Sequence, residues 1–289
     1  VLIYNRISNG YIVKQEIGFY YLNKLCIQLG LSVQFVFIIV AFFTYLFVFV
    51  SVKKKNFYIV LPAYVLLFYL QSYSLIRQIL VISICYAAIK LFIRKKYISY
   101  FILMLLASFF HLSSLVLLLV SPLYFINYNK KQILILLVLI VALVLAFDVV
   151  NFIEIHILSR TRYGVYIGSS YFRKTVFNTG LGVITRIVSY IILLVVVNKN
   201  SKRDYFFNIV CVLMVSLFTL EMLSLQIYIF DRLKIIFIFA LLFVLEYINE
   251  HKTEYKRFVF FICYSIWFML YVKLAVDSLS SMNSGLGVT

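Results

Sequence analysis

The chain has 289 residues, of which 65% are hydrophobic and 13% are charged, and its formal net charge is +17. Soluble domains contain about 45–50% apolar and about 25% charged residues, so this composition excludes an ordinary soluble domain. The lysines cluster between long apolar runs, as the positive-inside rule describes for cytoplasmic loops, so the charge indicates a membrane and not nucleic acid. We therefore predict an all-α polytopic membrane protein.

The apolar runs define candidate transmembrane segments, each judged against a length of about 20 residues. In chain order they are Ser32–Val52, Phe57–Ile76, Gln78–Ile93, Tyr97–Ile126, Gln132–Phe152, Leu181–Val197, Tyr205–Tyr228, Ile235–Ile248 and Phe258–Leu274. We predict about nine to ten transmembrane helices in a single integral membrane domain, residues 1–289, with an outer-face loop at 153–178. Because the chain opens on Val1 and its first strong span begins near Ser32, we also expect that an N-terminal helix is missing.

The run Tyr97–Ile126 decides the topology, because as one helix at about 1.5 Å per residue it would exceed a hydrocarbon core of about 30 Å. If it crosses once, later lysine clusters fall opposite Lys53–Lys55. If it turns back near His111, all the lysine clusters fall on one side: Lys53–Lys55, Lys95–Lys96, Lys130–Lys131, Lys199–Lys202 and Lys252–Lys256. The positive-inside rule therefore favours a hairpin or broken helix there, with His111 at the outer turn.

With this topology most arginines fall in the outer half of the protein, unlike the lysines. Arg77, Arg186 and Glu221 lie within apolar runs or at their outer ends. A charge at the bilayer centre costs roughly 2.5–3.5 kcal/mol on insertion scales, so such residues are paired or line a polar cavity. An ion pair of Arg186 with Glu221 could hold the bundle together. The excess of arginines over nearby acids favours a cavity.

The outer loop contains the sequence RTRYGVY from Arg160 to Tyr166. Arginine presents a planar fork of donors that fits phosphate oxygens, and tyrosine adds a ring face and a hydroxyl for sugars. The alternative is an ordinary interfacial loop with tyrosines in the aromatic belt.

His111 lies in the apolar sequence FFHLSS and is either a catalytic base or a packing residue. The four cysteines show no ligand spacing, and the sequence contains no Gly-rich phosphate loop and no Ser-centred elbow. We expect no metal and no cofactor.

Several short motifs follow one another in a recognisable order. They are Glu16-Ile17-Gly18-Phe19 before the first span, Arg77-Gln78 at the third span, Phe110-His111-Leu112-Ser113, Arg162-Tyr163 with Tyr166 in the outer loop, and Arg232 at a late helix. This order resembles the EpsG/Wzy-like polysaccharide polymerases of bacterial capsule, O-antigen and exopolysaccharide pathways, over most of the chain. The chain departs from these polymerases at its front, where the expected first helix and acidic, Tyr-containing loop are absent or cut.

The resemblance implies a metal-independent membrane glycosyltransferase in the cytoplasmic membrane of a bacterium. Such enzymes join repeat units carried on undecaprenyl pyrophosphate at the outer face. A sugar hydroxyl attacks and the lipid pyrophosphate leaves, so catalysis needs cations for the departing charge and a base for the hydroxyl. The outer arginines suit the first need, and His111, Glu16 or Glu221 could meet the second. Expected partners are the lipid-linked glycan, membrane lipids, and the flippase and chain-length regulator of the same pathway.

We assign catalysis to His111, Arg77 and Arg162. We assign substrate binding to Glu16, Arg160, Tyr163, Tyr166, Arg186, Glu221 and Arg232. Two other classes stay open. A lipid-linked glycan flippase or other transporter should carry charges along its whole crossing path, and a non-catalytic membrane subunit should not need uncompensated arginines.

Overall fold

The computed structural model describes residues 2–11, 16–146, 152, 180–197, 204–251 and 255–286. Over these residues all regular secondary structure is helical, as the composition predicts. The packing divides the chain into two compact units, Val1–Pro122 and Leu123–Thr289. The single membrane domain expected for the whole chain stays a prediction.

The described part of the first unit contains eight α-helices. They are α1 (Leu2–Ser8), α2 (Ile17–Gln28), α3 (Val33–Ser51), α4 (Phe57–Tyr64), α5 (Leu70–Ser74), α6 (Ile76–Ile93), α7 (Tyr97–Phe110) and α8 (Leu115–Val120). A 3₁₀ turn at Lys54–Asn56 leads into α4, and a π-helical turn at Val65–Tyr69 joins α4 to α5, so that Lys54–Ser74 is one continuous helix. Two further 3₁₀ turns, Leu112–Ser114 and Ser121–Phe125, flank α8.

Helix α6 is the centre of the first unit, with 14 of its 18 side chains buried, and it packs against α3 and α7. Helix α3 instead buries one stripe, spaced mainly four residues apart: Val36, Val40, Thr44, Val48 and Ser51. Its other faces are apolar and exposed, including Ile38 and Phe42. An exposed apolar surface of this kind suits lipid as the surrounding solvent.

The chain reverses at His111, as the lysine pattern predicts. Helix α7 ends at Phe110, and His111 is extended (φ −160°, ψ 113°) before the 3₁₀ turn that leads into α8. The Tyr100 hydroxyl donates to the Leu117 carbonyl oxygen at 3.3 Å, which an unbroken helix could not allow across that sequence distance. The broken segment expected in Tyr97–Ile126 is therefore confirmed as a helical hairpin.

The hairpins give the first unit two chemically different ends. Helix α6 runs from Ile76 to Ile93, and Arg94–Lys96 follow it directly, about 26 Å from Arg77 at 1.5 Å per residue. The preceding helix is antiparallel to α6, since the Tyr64 and Ser83 hydroxyls meet at 3.5 Å. Its lysine-rich start therefore lies at the same end as Arg94–Lys96.

The described part of the second unit contains six helices. They are α9 (Lys130–Ala146), α10 (Leu181–Val196), α11 (Tyr205–Ser224), α12 (Tyr228–Phe237), α13 (Ala240–Glu250) and α14 (Lys256–Leu286). Helices α11 and α13 supply most of the core. Asp204 starts α11 by accepting from the Phe207 amide at 2.9 Å, and its other oxygen accepts from the Tyr247 hydroxyl at 2.6 Å.

Five described helices are long and apolar enough to cross a membrane: Val33–Ser51, Lys54–Ser74, Ile76–Ile93, Tyr205–Ser224 and Lys256–Ser280. Three shorter apolar helices accompany them, Tyr97–Phe110, Leu112–Phe125 and Leu181–Val196. The count of nine to ten transmembrane helices stays a prediction.

The predicted span Ile235–Ile248 is wrong as one helix, because a turn at Ile238–Phe239 separates α12 from α13. That turn contains neither glycine nor proline, so the sequence gives no local signal for it.

Candidate functional site

The first unit gathers four polar side chains from three separate segments, which we call the Glu16 cluster: Glu16, Arg77, Gln78 and His111. Glu16 precedes α2 in extended conformation, and Arg77 and Gln78 lie in the first turn of α6. His111 occupies the extended break after α7, which turns its ring out of the helical path. Each residue therefore stands at the end of a helix, where side chains converge.

Glu16 holds the cluster together because each of its carboxylate oxygens has a different partner. Oε2 forms an ion pair with Nη1 of Arg77, and Oε1 lies 2.9 Å from Nδ1 of His111. The Arg77 guanidinium also lies 5.3 Å from the centre of the Phe19 ring, a cation–π distance. The side chains of Glu16, Arg77 and His111 keep 26%, 30% and 20% of their surface exposed, so a ligand can reach them.

Gln78 fixes the other side of the histidine ring. Its amide nitrogen lies 3.2 Å from Nε2 of His111. An amide NH₂ group only donates, so Nε2 accepts and the proton of neutral His111 lies on Nδ1, pointing at Glu16. The ring is thus held with its Nε2 lone pair directed away from the carboxylate.

The Glu16 carboxyl is ionised more readily than an ordinary glutamate. Burial by itself would raise the pKa of Glu16. The hydrogen bond from His111, a backbone hydrogen bond and the charges of Arg77 and His111 outweigh burial and hold the pKa below its ordinary value of 4.5. Glu16 is therefore an anion near neutral pH and serves as the fixed negative charge between two basic groups.

A close approach of two helices sets the position of Glu16. A Cβ atom at Gly18 would lie 3.0 Å from the carbonyl oxygen of Phe109, closer than ordinary packing allows. Glycine here lets the start of α2 meet the end of α7, and these two ends carry Glu16 and His111.

The first unit also contains an apolar pocket of about 180 Å³. It is lined by Leu22, Ile39, Val40, Phe43, Phe47, Leu80, Ile84, Leu106 and Phe110. Phe110 precedes His111 directly, so one lining residue of this pocket is the chain neighbour of a member of the cluster.

The second unit contains another charged group, the Glu221 cluster: Arg186, Tyr190, Glu221, Asp231 and Lys234. Nε and Nη2 of Arg186 both donate to Oε1 of Glu221, at 3.0 and 2.9 Å. Lys234 Nζ lies 3.2 Å from Glu221 Oε2 and 2.5 Å from Asp231 Oδ1, and the Tyr190 hydroxyl donates to Oε2 at 3.4 Å. Glu221 has no exposed surface.

The Glu221 cluster is electrically balanced, since it joins two basic groups to two acidic ones. Its pairing of Arg186 with Glu221 is the ion pair that the sequence offered as the alternative to a cavity. Arg77 and Arg186 each have a carboxylate partner, whereas the excess of arginines over acids expected for the whole set stays a prediction. Physically, a guanidinium inside an apolar bundle is stable only with such a partner.

The structure brings Glu16, Arg77 and His111 together in one unit, and Arg186 and Glu221 in the other. Arg232 is exposed on α12, next to Asp231. Four predicted site residues, Arg160, Arg162, Tyr163 and Tyr166, lie outside the described residues. The roles assigned to all of these residues stay predictions.

Sequence reasoning missed Gln78, Tyr190 and Lys234 as members of these clusters. Gln78 was visible only as the neighbour of Arg77. Lys234 had a signal, because it stands alone in a late apolar stretch three residues after Asp231, the spacing of an ion pair on one helix face. Tyr190 is one tyrosine among 24 in the chain, and nothing in its sequence context separates it from the rest.

The described residues contain no group of three or more His, Cys, Asp and Glu side chains placed to hold a metal ion.

Several apolar helices of membrane-spanning length, joined by hairpins, define a multi-pass helical membrane protein. A family model described as the EpsG family matches residues 1–284, and the chain therefore belongs to the EpsG family. This agrees with the resemblance carried by the sequence motifs, and membership suggests a polysaccharide polymerase-like membrane protein. Comparison with curated proteins and with solved structures found no match.

Proposed function

We propose that this protein is a polymerase that joins oligosaccharide repeat units, carried on undecaprenyl pyrophosphate, into a surface polysaccharide at the outer face of the bacterial cytoplasmic membrane. The observation that carries the proposal is the Glu16 cluster. It joins a cation, an anion and a histidine, and it is partly exposed. It lies at the end of the first unit opposite the lysines that follow α3 and α6.

Arg77 is the group that meets the leaving pyrophosphate. Its planar guanidinium offers donors in a fork that matches phosphate oxygens. The apolar pocket beside Phe110 gives the first part of the prenyl chain a place to lie, so the lipid tail and its pyrophosphate are held at adjoining positions.

His111 is the base that activates the acceptor. A hydroxyl of the acceptor sugar attacks the anomeric carbon of the donor, the new C–O bond forms, and the bond from that carbon to the pyrophosphate oxygen breaks. The bonding electrons leave with the pyrophosphate, and the hydroxyl proton passes to Nε2 of His111 after the acceptor hydroxyl has displaced the Gln78 amide from that nitrogen. Glu16 then stabilises the imidazolium through Nδ1, as the carboxylate does in a catalytic triad.

Proton transfer also makes the charge of the cluster more positive as the pyrophosphate leaves. Before the reaction the charges of Arg77 and Glu16 cancel. Once His111 holds the proton, the cluster is singly positive, while the departing pyrophosphate gains negative charge. A charge that develops together with its counter-charge favours the transition state over the ground state.

A transporter is less well supported by the same residues. It should carry charges along its crossing path, yet α3 carries none between Val33 and Ser51, and α6 carries only Arg77 and Lys90, near opposite ends.

The substitution His111→Gln tests the proposal, because glutamine keeps hydrogen bonding and approximate size but cannot serve as a base. We expect normal protein in the membrane and a rate of polymerisation lower by about 10²- to 10⁴-fold. The measurement is glycan chain length on a gel from cells carrying the variant, which should show mainly single repeat units.

His251→Gln is the matched control, since His251 stacks on Tyr247 in the second unit and belongs to neither cluster. It should leave chain length unchanged. Deletion of the gene should also leave single repeat units on the surface; a complete loss of surface glycan would instead indicate a flippase. Normal polymer from a normally expressed His111→Gln protein would remove His111 from the mechanism.

A further inference from the structure

Gln78 is nearly buried, with 7% of its surface exposed, yet only one of the two polar groups of its side-chain amide has a hydrogen-bond partner among the described residues. Its amide nitrogen faces His111 at 3.2 Å. Its amide oxygen, Oε1, is buried and has no hydrogen-bond partner in the part of the chain that the structure describes. A buried carbonyl oxygen without a donor is costly, and beside His111 it offers a free acceptor next to the reacting groups.

The chemistry of this oxygen limits what can bind it. An amide oxygen accepts hydrogen bonds and cannot donate them. A fully ionised pyrophosphate has only acceptor oxygens and would be repelled. A sugar hydroxyl has a proton to give, and it is the donor that a glycan supplies in quantity.

Position separates Gln78 from the phosphate side of the cluster. Successive residues of a helix point about 100° apart, and the contacts of Arg77 and Gln78 follow this rule. Arg77 is directed to Oε2 of Glu16, and Gln78 is directed to the far nitrogen of His111. The cluster therefore has an arginine side and a glutamine side, with Glu16 and His111 between them.

We infer that Gln78 binds the acceptor sugar: its Oε1 accepts a hydrogen bond from one hydroxyl, and its NH₂ group turns from Nε2 of His111 to donate to the oxygen of the neighbouring hydroxyl, whose proton passes to the freed Nε2. The inference rests on the proposed function and adds to it where the acceptor and the donor bind relative to each other. The acceptor glycan lies on the Gln78 side and the donor's pyrophosphate lies on the Arg77 side. Neighbouring hydroxyls on a pyranose ring present this donor–acceptor pair together.

Two binding probes, measured on variants of Gln78 and Arg77, test whether the acceptor and the pyrophosphate bind on different sides of the cluster. The probes are inorganic pyrophosphate, and free repeat-unit oligosaccharide released by mild acid from the lipid-linked units of cells lacking the gene. Binding to the full chain in lipid nanodiscs is measured by titration calorimetry. We expect Gln78→Met to weaken oligosaccharide binding about 3- to 10-fold, the range of one hydrogen bond between uncharged groups, with pyrophosphate binding unchanged.

Arg77→Lys should give the opposite pattern, with weaker pyrophosphate binding and unchanged oligosaccharide binding. Gln71→Met is the matched control: the Oε1 atom of Gln71 is also buried without a partner among the described residues, but Gln71 lies on α5, and its side chain forms no hydrogen bond with His111. It should bind both probes as the wild type does. If Gln78→Met does not fold, Gln78→Asn replaces it in the test. Asparagine keeps the amide group but holds it one carbon closer to the backbone, so Gln78→Asn should also weaken oligosaccharide binding and leave pyrophosphate binding unchanged.

Oligosaccharide binding that is unchanged in both Gln78 variants would overturn the inference and leave Oε1 to a trapped water molecule. Equal weakening of both probes would overturn the division into two sides. If the wild type bound neither probe, the proposed function would fail along with the inference, whereas a binding wild type with unaffected Gln78 variants removes the inference alone.

Discussion

Glu16 is the residue on which the candidate site depends, because both basic partners share its carboxylate. One oxygen is paired with Arg77 and the other with Nδ1 of His111. Loss of the negative charge would release Arg77 and leave the tautomer of His111 unfixed. Glu16 was assigned to substrate binding from the sequence, whereas its contacts fit a positioning residue for two other groups.

The lowered pKa of Glu16 predicts a pH dependence of stability. The native carboxyl holds its proton less tightly than the unfolded chain does, so its contribution is complete above the ordinary pKa of 4.5 and is lost as the pH falls through the lower native pKa. We expect Glu16→Gln to unfold at a lower temperature than the wild type above about pH 5, with the difference shrinking as the pH falls below 4.5. Thermal unfolding in detergent from pH 8 to pH 3.5 measures it.

A difference between wild type and Glu16→Gln that stays constant down to pH 3.5 would show that the charge of Glu16 does not stabilise the fold. Glu246→Gln serves as the comparison, because Glu246 is a buried carboxyl of the second unit and belongs to neither cluster.

The two clusters show how exposure separates roles that look alike in sequence. Glu16 keeps about a quarter of its side-chain surface, whereas Glu221 keeps none. A carboxylate closed off by Arg186, Lys234 and Tyr190 has its hydrogen-bonding capacity filled by the protein. The Glu221 cluster therefore fits a structural role, in which its ion pairs connect α10, α11 and α12. The partly exposed Glu16 cluster can instead contact a ligand.

At the scale of helices, the short approach between α2 and α7 controls the geometry of the site. Gly18 lies against the Phe109 carbonyl, and backbone atoms cannot move aside as a flexible side chain can. A methyl group there forces the two helix ends apart by a few tenths of an ångström. Because Glu16 and His111 stand at those ends, their 2.9 Å contact lengthens with them.

We therefore predict that Gly18→Ala lowers polymerisation by about 10-fold or more with little loss of folded protein, since small misplacements of catalytic groups have large effects on rate. Chain length on a gel and the amount of protein in the membrane are the two measurements. Gly182→Ala is the control: its Cβ would meet Leu270 at an ordinary 3.7 Å, and it should behave as the wild type. Equal polymerisation by both variants would show that the α2–α7 approach does not set the site.

At the scale of the whole molecule, the distribution of charge predicts which end faces which side. In the first unit the lysines that follow α3 and α6 lie at one end, and the Glu16 cluster lies at the other. The positive-inside rule places the lysine end in the cytoplasm and the cluster outside, where a lipid-linked glycan would be polymerised.

Single-cysteine labelling in intact cells tests this orientation. The four native cysteines are buried, so the background is low. We expect a membrane-impermeant maleimide to label Ser74→Cys, which is exposed next to the start of α6, but to label Lys54→Cys and Lys130→Cys only after permeabilisation. Labelling of Lys130→Cys from outside would contradict the topology derived from the hairpin, and labelling of Lys54→Cys would reverse the first unit.

Much of the fold could be read from the sequence. The apolar runs gave the helices at 33–51, 76–93 and 205–224 to within a few residues, because an apolar stretch bounded by charge has one low-energy position relative to a bilayer. The hairpin at His111 followed from the lysines, since charge asymmetry restricts how many times a run can cross. The turn at Ile238–Phe239 had no such signal.

The sequence by itself determined that this protein is a helical, multi-pass membrane protein of the EpsG type with arginine, glutamate and histidine at helix ends. These properties depend on composition and on order along the chain. Only the tertiary structure decided that Glu16 joins Arg77 to His111, that Glu221 is closed off between Arg186 and Lys234, and that Gln78 belongs to the site. Such contacts depend on which helix faces meet and how closely, and an apolar helix in lipid is nearly uniform around its surface, so its sequence does not record which side meets a neighbour.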